Sequence, residues 1–136
     1  MAVPVREAFQ RKFEARHITS EVTTTSSSYV TIPDSDVIID PSWFAQNGRL
    51  YLRFVAHLKS DVSGASTFAR LYRQHAGTAV EGTEVSVATT EYQIADSGWI
   101  DIAGEAGLES YQVQMKTNAS TGYCNSAIML LSSVQL

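Results

Sequence analysis

The stretch RLYLRFVAHLK, residues 49–59, separates its side chains into two sets. Leu50, Leu52, Phe54, Ala56 and Leu58 fall on one side, and Tyr51, Arg53, Val55, His57 and Lys59 on the other. A helix would scatter both sets around its circumference, whereas a strand places alternate residues on opposite faces. A strand this long with one apolar face needs a second layer to cover it. The period recurs elsewhere. Tyr111, Val113 and Met115 alternate with Gln112, Gln114 and Lys116, Val85 and Val87 alternate in EVSV, and TFARLYR (67–73) and GWIDI (98–102) read as further strands. Asn47-Gly48, SDVSGAS (60–66), QHAGTAVEGT (74–83) and NASTG (118–122) supply polar, glycine-marked turns between them. The closing run YCNSAIMLLSSVQL is more continuously apolar, which predicts a central strand covered on both faces. About eight antiparallel strands at regular turn spacing predict an all-β sandwich or barrel.

The 136 residues match a single domain. Lysine is confined to Lys12, Lys59 and Lys116, while serine and threonine are abundant, a composition that suits pleated surfaces better than helices. The tract EVTTTSSSYVTIPD (21–34) holds six consecutive Ser/Thr residues before Tyr29, Val30 and Ile32. It reads as the first strand or strands of the sandwich, with the hydroxyl run as a solvated edge or bend. The single cysteine, Cys124, excludes an internal disulfide and cysteine-rich zinc patterns, and is expected to pack as a small apolar side chain.

Only the segment before this tract breaks the period of two. Val5, Phe9 and Phe13 recur every four residues and Pro4 suits a first helical turn, so the spacing predicts a short helix from Pro4 to His17. The chain therefore divides into an N-terminal arm, residues 1–19, helical or extended, and a β-sandwich domain, residues 20–136. Net charge is −4, unevenly placed: residues 1–18 sum to +2 and the remainder to −6. An acidic body argues against a nucleic-acid partner, which requires a dense cationic face. The basic arm is expected to dock on protein, with Val5, Phe9, Arg11, Lys12, Phe13 and Arg16 as its partner-binding residues. No run reaches the ~20 apolar residues of a membrane span, so no membrane partner is expected. Charged residues interrupt the N-terminus before signal-peptide length, which implies synthesis in the cytoplasm without a signal peptide.

Nothing in the chain points to a reaction. There is no G-x-S-x-G elbow, phosphate-binding glycine loop or H-E-x-x-H. His17, His57 and His75 are far apart and lack a second ligand at metal spacing, and His57 falls on the wetter face of its strand. Asp34, Asp36 and Asp40 could gather at one rim, but the run continues into β-branched residues instead of a glycine-bent calcium loop. Trp99 and Tyr51, Tyr72 and Tyr92 have the chemistry of a sugar-stacking platform, although scattered strand aromatics more often serve cores or subunit contacts. The reading is of no enzyme, no catalytic residue, no cofactor and no metal.

The Ser/Thr tract leading into YVTIPDSDVIID, the glycine turn before RLYLRFVAHL, and FARLYRQHAGTAVEGTE together resemble a jelly-roll pattern. Gly77, Thr78, Val80, Gly82 and Thr83 match its G-T-x-V-x-G-T loop, and Tyr111 to Lys116 match its Y-x-V-Q-x-K strand. The pattern is similar to the small jelly rolls of bacteriophage structural proteins, which share their topology with tumour necrosis factor-like domains. It covers about residues 20–136. The chain departs from it by inserting DPSWFAQ (40–46), where Trp43 and Phe44 are placed to cap one end. The resemblance implies a virion component: a head-decoration (cement) protein bound to other virion proteins, the major capsid protein first, and a homo-oligomer, with a trimer favoured. The alternative it carries is a receptor- or carbohydrate-binding tail or fibre-tip module.

Overall fold

The computed structural model describes residues 12–135. Its strands are β1 (Lys12–Ile18), β2 (Val22–Thr24), β3 (Val30–Thr31), β4 (Val37–Ile39), β5 (Tyr51–Ser60), β6 (Thr67–Arg73), β7 (Thr78–Ala79), β8 (Val85–Val87), β9 (Gln93–Asp96), β10 (Ile100–Asp101), β11 (Glu109–Thr117) and β12 (Gly122–Ser132). A 3-10 turn, Pro41–Phe44, sits between β4 and β5. All pairings among these strands are antiparallel, and they form two sheets. In the first, β12 and β5 lie at the centre; β1 and β2 share the outer position beside β12, and β9 and β10 share the one beside β5. In the second, β11 and β6 lie at the centre, flanked by β3 with β4 and by β7 with β8. The short strands are halves of broken edge strands, so the sheets hold eight strand positions, four in each. Followed along the chain, these positions cross between sheets at every step except from β6 to β7 and β8, which is the order of a jelly roll.

The alternation in 49–59 is realised residue by residue. Leu50, Leu52, Phe54, Ala56 and Leu58 are buried between the sheets, while Tyr51, Arg53, Val55, His57 and Lys59 are only half-buried. Facing them are Tyr111, Val113 and Met115 from β11 and Ala69 and Leu71 from β6, with Met129, Leu131 and Cys124 from β12 beside β5. Burial pushes the Cys124 thiol up to about 11, so it remains a protonated core group. Near Gly122 the sheets approach so closely that a Cβ there would lie 2.7 Å from the Thr67 hydroxyl. Thr67 is itself held between Ser60 and the Lys59 carbonyl.

The Ser/Thr tract is where the chain changes sheets. Thr23 and Thr24 belong to β2 in the first sheet, and Val30 opens β3 in the second. Between them the hydroxyls take over backbone pairing: Thr24 accepts from the Ser26 amide, and Ser26 from the Ser28 amide. Such local bonds favour a bend over a ladder, which makes this residue type suitable for a corner. The edge breaks again at Ser35, after Asp34 adopts a positive φ of 59°. The buried Ser35 hydroxyl accepts from Val113 N and donates to Ile32 O, filling the gap between β3 and β4.

The structure differs from the sequence reading in the N-terminal segment. From Lys12 onward it is a strand, not a helix, paired with β12 from Lys12↔Ser132 to Ile18↔Ala127. Spacings of four fit a period of two as well as one of 3.6, so Phe13 could not distinguish them. Phe13, Ala15 and His17 turn inward and Lys12, Glu14 and Arg16 outward. The rest of the helix expectation, with Val5, Phe9 and Arg11, lies outside the described residues. The 40–46 insertion also divides. Phe44 packs against Phe13 with ring centroids 5.1 Å apart, but Trp43 is 57% exposed. Asp40 instead caps the 3-10 turn, accepting from Ser42 N and Oγ and from Gly107 N, and these bonds hold its carboxyl below the usual range.

Candidate functional site

A sandwich has two outer faces, and here they are built differently. The face of the first sheet is centred on β12, whose outward residues Ile128 and Leu130 are only half-buried. The apolar run of β12 predicts cover on both sides; its outer side is only partly covered. Register places Val55 beside Ile128 and Arg53 beside Leu130. Ile94 on β9, opposite His57, is 72% exposed. Two shallow recesses mark this apolar strip. One, of about 340 Å³, is lined by Phe13, Arg53, Trp99 and Leu130 among others, and one of about 230 Å³ by Val55, His57, Ile94 and Ile128 among others. Arg53 makes a bidentate ion pair with Asp96, with Nε 2.9 and 3.1 Å from its two oxygens, and lies 5.7 Å from the Trp99 ring. Its hydrogen bond holds the Asp96 carboxyl below its ordinary value.

At the opposite end of this face the apolar strip gives way to an aromatic and polar cluster. His57 stacks on Tyr92 at 4.8 Å and shares a 2.7 Å hydrogen bond with Asn125. Lys59 Nζ sits 4.9 Å from the Tyr92 ring and 4.8 Å from the Tyr123 ring. Tyr92 donates to Glu21 at 2.5 Å; burial, with that bond, pushes its phenol upward.

The centre of the second sheet's outer face is occupied by its own polar and charged side chains, while Ile38 on its β4 edge is 62% exposed. Tyr29, at the end of the Ser/Thr corner, lies under the Arg70 guanidinium at 3.9 Å and near Lys116 Nζ at 4.7 Å. Its hydroxyl donates to Glu84 at 2.6 Å. Arg70 Nε donates to Gln114 Oε1, and Gln114 Nε2 donates to Thr31. Lys116 also approaches the Phe68 ring at 5.0 Å. Cations stacked on aromatic rings and charge-assisted bonds leave little here for a partner to complete.

The structure separates the residues marked out by the sequence. Lys12 and Arg16 are exposed on the first face, whereas Phe13 packs within its own sandwich. Tyr51 and Tyr92 belong to the first sheet's side and Tyr72 to the second, so the three tyrosines do not form one platform. His57 is on the outer face as expected. His17 is buried, with Nδ1 2.5 Å from the Ser35 carbonyl and Nε2 without a hydrogen-bond partner among the described residues. Burial lowers its pKa, against the Ser35 bond and the nearby Asp36. Among the described residues no three His, Cys, Asp or Glu side chains are grouped to hold a metal. Sequence reasoning misses Ile128, Leu130 and Ile94 as candidate contact residues. For the first two the signal is the apolar run of β12, which residue type alone reads as a strand covered on both faces.

Neither a protein-family model nor a curated protein sequence matches the chain. Solved structures do. The VP2 subviral particle of infectious bursal disease virus aligns with a TM-score of 0.60 at 15% identity, over 90% of this chain and 32% of VP2. The T13 viral particle of the same virus gives 0.58 at 13% identity, over 90% and 31%. The Eiger TNF of S. frugiperda gives 0.50 at 10% identity, covering 93% of this chain and 95% of its own. The chain thus spans about a third of the VP2 chains it matches. At these identities the likeness is one of fold, and it agrees with the strand order.

Proposed function

We propose that this chain is a non-enzymatic structural protein that works by clamping neighbouring protein subunits, and that it does so in a virion. The observation that carries the reading is the apolar outer side of β12, where the half-buried Ile128 and Leu130 lie beside Val55 and Ile94 of the neighbouring β9 is 72% exposed. Contiguous apolar surface at the centre of a sheet marks an interface, and repeated burial of such surface stabilises an assembly by mass action. Likeness to a viral capsid protein and to a TNF fold supports this use of the sandwich. More finely, the chain is a bacteriophage head-decoration (cement) protein, trimeric, seated on the major capsid protein. Its N-terminal arm, through Val5, Phe9 and Arg11 with the exposed Lys12 and Arg16, reaches a neighbouring subunit.

The test uses particles of the same virus stripped of accessory proteins. The full chain should rebind at saturating occupancy, measured by co-sedimentation and particle imaging, while Ile128→Lys with Leu130→Lys should not. Deletion of residues 1–11, which spares β1, should weaken binding if the arm contributes. Absence of binding by the full chain, or full occupancy by the double variant, overturns the reading. Binding to a glycan array with no particle binding would replace it with the fibre-tip alternative.

A further inference from the structure

We infer that the open face of the first sheet is covered by a second copy of this chain, packed with its strands pointing the same way about a rotation axis parallel to them. The inference rests on the assembly reading above and names the occupant of that face.

The outward residues of β1 read Lys12, Glu14, Arg16: plus, minus, plus. Register carries each one across the sheet. Lys12 stands opposite Ser132, which pairs with Tyr51, which pairs with Asp101. Glu14 stands opposite Leu130, which pairs with Arg53. Arg16 stands opposite Ile128, which pairs with Val55, which pairs with Asp96. The far side therefore reads minus, plus, minus at the same three levels, Arg53 and Asp96 being also paired with each other, with Ile128, Leu130 and Val55 between the two charged borders. Among the described residues Lys12, Glu14 and Arg16 make no ion pair of their own.

Rotation about an axis parallel to the strands keeps every rung at its level and brings the β1 border of one copy to the far border of the next. Each charge then meets its opposite: Lys12 meets Asp101, Glu14 meets Arg53, and Arg16 meets Asp96. A two-fold axis perpendicular to the strands does the reverse. It sets Glu14 against Glu14 and Lys12 against Arg16, and on the far side Arg53 against Arg53. Like charges opposed across an interface are strongly unfavourable, so the pattern selects one orientation and rejects the other. The same match closes a ring of two or of three copies. Rim charges of this kind set orientation and rate, while the apolar strip supplies the burial.

Sedimentation equilibrium of the full chain at low and high salt tests the inference. The wild type should self-associate, more weakly at high salt because the borders are exposed. Lys12→Glu with Arg16→Glu should raise the dissociation constant roughly 10- to 100-fold, as should Asp96→Lys with Asp101→Lys. Combining all four restores opposite signs at every level, and association should return to within about threefold of the wild type. Should the four-fold variant lose its fold by circular dichroism, Lys12→Glu and Asp101→Lys, singly and together, give the same rescue without touching the Arg53–Asp96 pair. A monomeric wild type at about 200 μM, unaltered association in the charge variants, or no recovery on combining them overturns the inference. Association lost on deleting residues 1–11 but indifferent to the charge variants would place the contact in the arm and overturn it equally. Particle binding by a monomeric chain would sink this inference and leave the assembly reading standing; self-association without particle binding would do the opposite.

Discussion

The two outer faces of this sandwich share a core and an architecture, yet their centres are built from opposite materials, polar on one and apolar on the other. On the second sheet, Tyr29 reaches from the Ser/Thr corner to seat Arg70 and Lys116, and Gln114 ties Arg70 to Thr31. On the first, the equivalent central positions are Ile128, Leu130 and Val55, which have no side-chain polar atoms to satisfy and are only half-buried. Polar networks can close upon themselves within a chain, but an apolar strip is completed only by another surface. On the proposed reading, the difference assigns stability to one face and association to the other.

Variants can break that division in order of expected effect. Phe54 lies in the core beneath both faces, and Phe54→Ala should cost about 3–5 kcal/mol in chemical denaturation, disabling both together. Gly122→Ala comes next. Its methyl group has no room beside Thr67, and overpacking of this kind should cost about 1–3 kcal/mol while leaving both faces unchanged in composition. Tyr29→Ala should lower stability by about 1–2 kcal/mol through the loss of its stacking and its bond to Glu84, with particle binding intact. Ile128→Asn should change stability by only about 0.5 kcal/mol, yet abolish association. If Tyr29→Ala impaired binding and Ile128→Asn impaired only stability, the two faces would have to exchange roles.

Acid offers a way to loosen the first sheet selectively, through His17 on its edge strand. Burial depresses the His17 pKa below its ordinary 6.5, so the unfolded chain takes up a proton in the window below 6.5 that the folded chain refuses. Stability is therefore complete above that value and falls as pH drops beneath it. His17→Leu should flatten denaturation midpoints measured between pH 7 and pH 5. Glu109 acts lower on the scale. Its burial would raise its pKa, but amides of His75, Ala76 and Ser110 outweigh this and hold it down, so its contribution persists until strongly acidic pH.

The fold is legible in the sequence wherever one face of a strand is buried. In β5 and β11 the period of two is written in residue type, because burial demands apolar side chains at every second position. It is illegible at β1, where Phe13 satisfies two periods and the pairing with β12 decides between them. The corner at residues 25–29 is legible only as a bend, since hydroxyl residues announce local bonding but not the sheet the chain is leaving. The candidate face is half legible: the apolar run of β12 shows a strand wanting cover on two sides, not whether that cover lies in the same chain.

The sequence by itself determined the all-β class, the inward residues of the long strands and the turns, because these depend on near neighbours and on burial. Tertiary structure alone decided that β1 joins the sheet, that His17 is buried, and that Lys12, Glu14 and Arg16 lie level with Asp101, Arg53 and Asp96. Those facts depend on register between segments far apart in the chain, and register is set by long-range pairing and packing.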